Sequence, residues 1–156
     1  MIAFTGNGIY YADIALIDID IRFHTWNKGE FMFKVLIVDD NPNIRNLMSL
    51  LIRKNPDFQV SEAESVRDAL SICSENKFNL IFLDHNVADG VGWIISDIIA
   101  LDPERYGNPI IVAMSGSVLP RDAGKQHHNF SQFLQKPFHI SDINAVLDKL
   151  KETLDN

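Results

Sequence analysis

The chain has 156 residues, of which 46% are hydrophobic and 22% are charged, and its formal net charge is -7. This length and composition suffice to bury the core of one soluble globular domain. The negative charge and the absence of any Lys/Arg run argue against direct binding to nucleic acid, because affinity for a phosphate backbone rests largely on clustered cations.

Two further features of the sequence bear on its compartment. Cys73 is the only cysteine, which excludes an internal disulfide, and its apolar surroundings favour core packing over a reactive thiol. No stretch approaches the roughly 18 apolar residues that span a bilayer, and no Lys or Arg precedes Arg22 to form the basic start of a signal peptide. We therefore expect a cytoplasmic protein without membrane insertion.

The first 33 residues carry a pattern of their own. Apolar residues alternate with charged ones at period two: Ile17, Ile19, Ile21 and Phe23 with Asp18, Asp20 and Arg22. This alternation predicts an extra strand or a hairpin. Residues 27–30, Asn-Lys-Gly-Glu, are typical of a linker, so we predict an N-terminal extension over 1–33 and one globular domain over 34–156. Translation from Met32, residues added upstream and a real extra element all remain open for the extension.

From Lys34 onward, short apolar runs alternate with helical patterns. The longest runs cover residues 35–38, 80–83 and 110–114. Unalternated runs of this length are typical of strands buried on both faces of a parallel sheet. Residues 58–60 and 133–134 are the remaining strand candidates, which makes five predicted strands.

Helical patterns connect these strands. Asn41 is placed to cap a first helix with Pro42 at its first position, and apolar residues then recur at three- and four-residue spacing through Ile52. The same spacing predicts helices over 65–76, over 93–101, where Asp102-Pro103 ends the pattern, and over 141–154. A fourth connecting helix is expected within the polar segment 115–129. Alternating strands and helices predict a doubly wound α/β fold with a parallel sheet.

Acidic residues lie at the ends of two predicted strands. Asp39 and Asp40 follow the first strand, and Asp84 follows the third. In a doubly wound sheet, ligands bind outside the carboxyl ends of the strands, at the switch point. Three carboxylates converging there repel one another unless a hard divalent cation such as Mg2+ binds among them. Because Mg2+ often also binds a substrate phosphate, the cluster predicts a phosphoryl-transfer site.

Two more strand ends add a hydroxyl group and a cation. Ser115 follows the run 110–114, and Lys136 follows the strand that contains Phe133. A hydroxyl and a compact ammonium group can together stabilise the oxygens of a phosphoryl group.

These segments, taken in order, resemble the receiver domains of two-component response regulators. The matching segments are Val35-Leu36-Ile37-Val38-Asp39-Asp40, Leu83-Asp84, Met114-Ser115 and Lys136-Pro137-Phe138. Each is common by chance, but four in order at strand ends form a specific signal, and the resemblance covers about residues 34–154. It implies a flavodoxin-like sheet with strand order 2-1-3-4-5. The departures, at Val87, Ala88 and Gly116, change no expected ligand side chain.

The resemblance also implies a role for each acidic residue. Asp84 would accept a phosphoryl group from the phosphohistidine of a sensor histidine kinase or a histidine phosphotransfer protein, or from acetyl phosphate. Asp39, Asp40 and Asp84 would hold Mg2+ together with the main-chain carbonyl of Asn86.

The remaining site residues follow from the same resemblance. Lys136 would pair with the acceptor carboxylate and then with a phosphoryl oxygen, while Ser115 would hydrogen-bond another oxygen. Phe133 matches the family's aromatic switch position, and His85 is expected at the rim of the site. The implied protein is a regulatory domain rather than an enzyme, which signals to a downstream protein target. A homodimer is left open.

Two other functions remain open. A pseudo-receiver would keep the fold without phosphorylation and act as a protein-interaction module. An aspartate-nucleophile phosphatase of the haloacid-dehalogenase kind is suggested by Asp18-Ile19-Asp20 after an apolar run. Arg22 departs from that motif, however, and residues 34–156 are too short for the rest of such an enzyme.

Overall fold

Strands and helices alternate along the part of the chain that the computed structural model describes, residues 32–116 and 129–154. The strands are β1 (Phe33–Val38), β2 (Phe58–Ala63), β3 (Leu80–Asp84), β4 (Asn86–Val87), β5 (Gly90–Val91), β6 (Ile110–Ser115) and β7 (Gln132–Gln135). The helices are α1 (Pro42–Ile52), α2 (Val66–Glu75), α3 (Ile94–Leu101), α4 (Pro103–Tyr106) and α5 (Ile140–Leu154).

The five longer strands form one parallel sheet in the order β2-β1-β3-β6-β7. The short strands β4 and β5 pair only with each other, as an antiparallel hairpin. When the hairpin is left out of the numbering, the order is 2-1-3-4-5. The predicted doubly wound α/β fold is therefore confirmed.

Helices cover both faces of this sheet, which explains the unalternated apolar strands. On one face, side chains such as Ile37 and Phe82 pack against α1 and α5. On the other face, Leu36 and Ile81 pack against α2, α3 and Tyr106 of α4. Successive strand residues point to opposite faces, so residues 35–38 and 80–83 are all buried.

Side chains cap the starts of α1 and α2, and the cap at Asn41 was expected from the sequence. Pro42 occupies the first turn of α1, and the side chain of Asn41 accepts a hydrogen bond from the Asn43 N–H at 3.0 Å. Ser65 caps α2 by accepting a bond from the Asp68 N–H at 3.0 Å. Each cap satisfies an N–H group that has no partner within its own helix.

Three features differ from the sequence-based expectation or were not foreseen. The helix expected from Trp93 begins at Ile94. Asp102-Pro103 ends α3 as expected but also starts α4, because the Asp102 side chain accepts a bond from the Arg105 N–H at 3.1 Å and proline fits the first turn. The hairpin of β4 and β5 was not predicted.

Some predictions lie outside the described residues. The predicted extension covers 1–33, and all of it except residues 32 and 33 lies outside the described residues, including the expected extra strand and Asp18. Most of the expected fourth connecting helix also lies outside them, within 117–128. The predicted boundary between residues 33 and 34 therefore stays a prediction. Among the described helices, none is both long and apolar enough to cross a membrane.

The buried position of Cys73 leads to a testable expectation. Its side chain, on the buried face of α2, is 1% exposed, which confirms core packing, and burial raises the pKa of the thiol to about 11. Because the thiolate is the reactive form, we expect an aromatic disulfide reagent at pH 8 to label Cys73 slowly in the folded protein. The same reagent should label it fully in guanidinium chloride. Rapid, complete labelling under native conditions would contradict the packing described.

Candidate functional site

An ammonium group joins the ends of three strands at one edge of the sheet. Asp39 directly follows β1, Asp84 ends β3, and Lys136 directly follows β7. The Nζ atom of Lys136 lies 2.6 Å from Oδ2 of Asp39 and 2.9 Å from Oδ1 of Asp84. Three of the residues predicted from the sequence are thus in direct contact.

Asp40 completes an acidic cluster beside this ion pair. Carboxylate oxygens of Asp39, Asp40 and Asp84 all lie within 4.8 Å of one another, with Asp40 exposed and the other two buried. Mg2+ binds oxygen at about 2.0–2.1 Å, so two of its ligands lie up to about 4 Å apart. The carboxylate donor set and its spacing therefore suit Mg2+, with a small adjustment of side chains.

The loop that carries these acids is held from two sides. The Oδ1 atom of Asp39 accepts a hydrogen bond from the Asn41 N–H at 2.9 Å. The guanidinium of Arg45 donates to the main-chain carbonyl of Asp39 at 2.7 Å and lies 3.8 Å from both Glu62 and Glu64. Sequence reasoning missed Arg45, since its acidic partners lie in and after β2, far from α1 in the sequence.

Burial and neighbouring charges set the protonation of Asp84. The residue is 7% exposed, and burial raises the pKa of its carboxyl group. The nearby Asp39 carboxylate adds to this rise, whereas Lys136 and the His85 main-chain N–H oppose it without cancelling it. Ionising Asp84 in the folded protein is therefore costly.

Burial acts on the pKa of Lys136 in the opposite sense to its effect on Asp84. Burial by itself lowers the pKa of its ammonium group, but the hydrogen bonds that Lys136 donates to Asp39 and Asp84, together with the negative charges of those carboxylates, outweigh burial and leave the pKa above its ordinary value. The side chain therefore stays cationic at neutral pH.

Ser115 lies at the same edge, between the strands that carry Asp84 and Lys136. It ends β6, which pairs with both β3 and β7. The Lys136 N–H donates to the Ser115 carbonyl at 2.7 Å, and the His85 N–H donates to the Met114 carbonyl at 3.0 Å. These main-chain bonds hold Ser115, which is 3% exposed, next to the acidic cluster.

The hairpin after Asp84 carries Asn86, an exposed residue in β4. The Gly92 N–H closes its base by donating to the His85 carbonyl at 2.7 Å. A Cβ atom at Gly92 would lie 2.1 Å from the Asp84 carbonyl oxygen, so this close approach requires glycine. The pair Asp89-Gly90 is the sequence signal that could have revealed the hairpin.

An aromatic cluster links His85, the neighbour of Asp84, to the predicted switch residue Phe133. Trp93, which is buried, has its ring centroid 4.4 Å from that of His85, 5.2 Å from that of Phe130 and 5.9 Å from that of Phe133. All three pairs meet edge to face, a favoured geometry. Phe133 and His85 are half-buried, and the packing of Phe133 on Trp93 was not foreseen.

Comparisons with known proteins agree with this geometry. A family model described as the response regulator receiver domain matches residues 35–148. The sensory transduction protein LytR of Staphylococcus epidermidis is 31% identical over 118 residues, which cover 75% of this chain and 45% of that protein. The sensory transduction protein LytT of Bacillus anthracis is 27% identical over 122 residues, which cover 78% of this chain and 48% of that protein. The chain thus spans about half the length of these curated relatives.

Solved structures show the same fold. A CheY-like receiver domain from Methylobacillus flagellatus is 25% identical with a TM-score of 0.66, covering 76% of this chain and 98% of its own. The chemotaxis regulator CheY4 of Vibrio cholerae is 23% identical with a TM-score of 0.68 and the same coverage. Because CheY4 is only 23% identical, its similarity supports the fold alone.

Replacing Gly92 tests the close approach at the base of the hairpin. We expect Gly92→Ala to lower the free energy of unfolding by about 1–3 kcal/mol, because the added methyl group meets a main-chain oxygen that cannot easily move. Gly116→Ala is the matched control, since a Cβ there has no neighbour within 4 Å. Urea unfolding of both variants gives the comparison, and equal stabilities would contradict the crowding inferred at Gly92.

Replacing Asp84 tests the electrostatic cost of the site. Because the pKa of Asp84 is raised in the folded protein, the contribution of this group to stability is present at low pH and lost as pH rises through the folded pKa. We expect Asp84→Asn to be more stable than the parent at pH 7 by about 1 kcal/mol. The difference should shrink as the pH falls toward the ordinary pKa of aspartate.

Thermal unfolding across this pH range measures the effect of Asp84→Asn. Asp148→Asn, which alters an exposed acid on α5, is the control and should show little difference at any pH. A destabilised Asp84→Asn at pH 7 would show that the bond to Lys136 outweighs the cost of burial.

Proposed function

This chain belongs to the response regulator receiver domain family, and we propose that it is a phosphorylation-dependent switch in which Asp84 accepts a phosphoryl group. The observation that carries the proposal is the bridge of Lys136 between Asp39 and Asp84, with Asp40 beside it. This arrangement of three acids and one cation suits phosphoryl transfer to a carboxylate.

Mg2+ is the proposed cofactor. The side chains of Asp39, Asp40 and Asp84 would hold it, with the main-chain carbonyl of Asn86 as a further oxygen ligand. Bound Mg2+ supplies positive charge that screens the carboxylates and the incoming phosphoryl oxygens from one another. The cluster lies at the surface through Asp40, so an ion has access to it.

The proposed reaction uses the carboxylate of Asp84 as the nucleophile. One of its oxygens attacks the phosphorus of the donor, a new P–O bond forms, and the donor's bond to phosphorus breaks. The leaving imidazole or acetate departs with the electron pair of that bond. Burial disfavours the ionised nucleophile, whereas the bond from Lys136 at 2.9 Å favours it.

Two other side chains would receive the phosphoryl oxygens. The ammonium of Lys136 already contacts the acceptor carboxylate and can bond to a phosphoryl oxygen attached to it. Ser115 is at the end of the neighbouring strand, and its hydroxyl can donate to a second oxygen. Both residues therefore act on the charge that the transfer brings into the site.

The proposed signal is a two-state change that the phosphoryl group biases. Movement of Ser115 toward the phosphoryl group would alter the space near Phe133, which packs on Trp93 at 5.9 Å between ring centroids. The donor would be a sensor histidine kinase or a histidine phosphotransfer protein, and a downstream protein would read the new surface. Homodimerisation stays a prediction.

Intact mass spectrometry tests this function directly. Incubation with acetyl phosphate and Mg2+ should add the mass of one phosphoryl group to the parent protein. The modification should be absent in Asp84→Asn and after removal of Mg2+ by a chelator, and Asp148→Asn should behave like the parent.

Other results would lead to different conclusions. Modification that survives in Asp84→Asn would contradict the assignment of the acceptor. A parent protein that neither acetyl phosphate nor phosphoramidate modifies would favour the pseudo-receiver alternative, in which the domain acts only through protein contacts.

A further inference from the structure

A carboxylate at the tip of the hairpin joins it to a helix that is distant in the sequence. Asp89 lies in the turn between β4 and β5. Its Oδ1 atom accepts a hydrogen bond from the Val66 N–H at 2.6 Å, and its Oδ2 atom accepts one from the Arg67 N–H at 3.1 Å. Asp89 thus binds the first turn of α2 with both oxygens.

This attachment satisfies a need of the helix itself. The first N–H groups of a helix have no partner within it, and its N-terminus favours negative charge. The hydroxyl of the local cap, Ser65, accepts from the Asp68 N–H, whereas the N–H groups of Val66 and Arg67 donate to Asp89. These main-chain hydrogen bonds lower the pKa of the Asp89 carboxyl, which keeps it ionised at neutral pH.

The hairpin is also held by its main chain. The Ala88 N–H donates to the Glu64 carbonyl at 3.0 Å, and the Gly92 N–H donates to the His85 carbonyl at 2.7 Å. The side chain of Val87, in β4, is buried in the core. Asn86 lies between the closed base and the attached tip, so the orientation of its carbonyl depends on both.

We propose that Asp89 is a positioning residue for the Mg2+ site. It holds the hairpin to the N-terminus of α2 and thereby fixes the main-chain carbonyl of Asn86 beside the carboxylates of Asp39, Asp40 and Asp84. Asp89 itself contacts neither the ion nor the phosphoryl group. The proposal rests on the proposed function, since it concerns the same metal site.

The expected consequence is a loss of Mg2+ affinity rather than of reactivity. Without the Asp89 bonds the hairpin can move, and one oxygen ligand is no longer held in place. Mutating a residue that orients a metal ligand typically lowers metal affinity by about 10-fold or more. We therefore expect Asp89→Ala to raise the Kd for Mg2+ by about 10-fold. At saturating Mg2+ the rate of phosphorylation by acetyl phosphate should stay within about twofold of the parent, because the acceptor and Lys136 are unchanged.

Amide NMR on the full chain supplies the test, with MgCl2 added stepwise and the Kd read from the shifts near the acidic cluster. Asp89→Asn is the second variant, because its amide oxygen keeps one of the two acceptors, and its Kd should fall between those of the parent and Asp89→Ala. Ser65→Ala is the matched control. It removes a cap from the same helix without touching the hairpin and should leave the Kd within about twofold of the parent.

Each result decides the proposal. An unchanged Kd in Asp89→Ala, or an equal rise in Ser65→Ala, overturns the positioning role while leaving the proposed function intact. Unchanged hydrogen exchange of the Ala88 and Gly92 amides in Asp89→Ala would likewise show that Asp89 does not hold the hairpin. A parent protein whose amide shifts do not respond to Mg2+ overturns the metal site and this proposal together.

Discussion

The ammonium group of Lys136 lies 2.6 Å from Asp39 and 2.9 Å from Asp84, two carboxylates that are almost completely buried. Burying two negative charges side by side is unfavourable unless a cation compensates them. This compensation requires the ends of β1, β3 and β7 to lie at the same edge of the sheet. The parallel strand order meets that requirement, and the main-chain bonds Lys136–Ser115 and His85–Met114 hold the edge together.

Lys136 compensates the negative charge of the acidic cluster only in part, and the remaining negative charge is chemically useful. One ammonium group faces three clustered carboxylates, so the site retains excess negative charge. The raised pKa of Asp84 reflects burial and this crowding. Perturbed groups of this kind gather at functional sites, where stability is lost in exchange for reactivity. A divalent cation or a phosphoryl group would change the local charge sharply, which suits a switch.

Two separate sets of contacts support the edge from outside. Arg45 connects the acidic loop after β1 to the acids of β2 and its following turn. Asp89 connects the hairpin after β3 to the start of α2. Both are charged side chains that bond to main-chain groups, and so they can restrain loops without contacting the carboxylates of the acidic cluster. The aromatic packing of Trp93 with His85 and Phe133 connects the same hairpin region to β7.

The sequence by itself determined the five strands, the capped start of α1, the helical pattern of α2, and the acids at strand ends. Those features depend on local rules: apolar runs buried on both faces, Asn before a helix, and the parallel sheet that brings carboxyl ends together. The short helix α4 and the hairpin were missed, although Asp102 before Pro103 and the pair Asp89-Gly90 were local signals for them.

Only the tertiary structure decided which of these residues contact one another. Lys136 and Asp39 are 97 positions apart, and Asp89 and Val66 are 23 apart. Whether the lysine bonds to one carboxylate or to two depends on distances of a few tenths of an ångström between distant segments. The same holds for the choice of Asp89 as a cap for α2 and for the packing of Phe133 on Trp93. A local pattern carries no information on such distances, because they are set by how the helices and strands pack on one another.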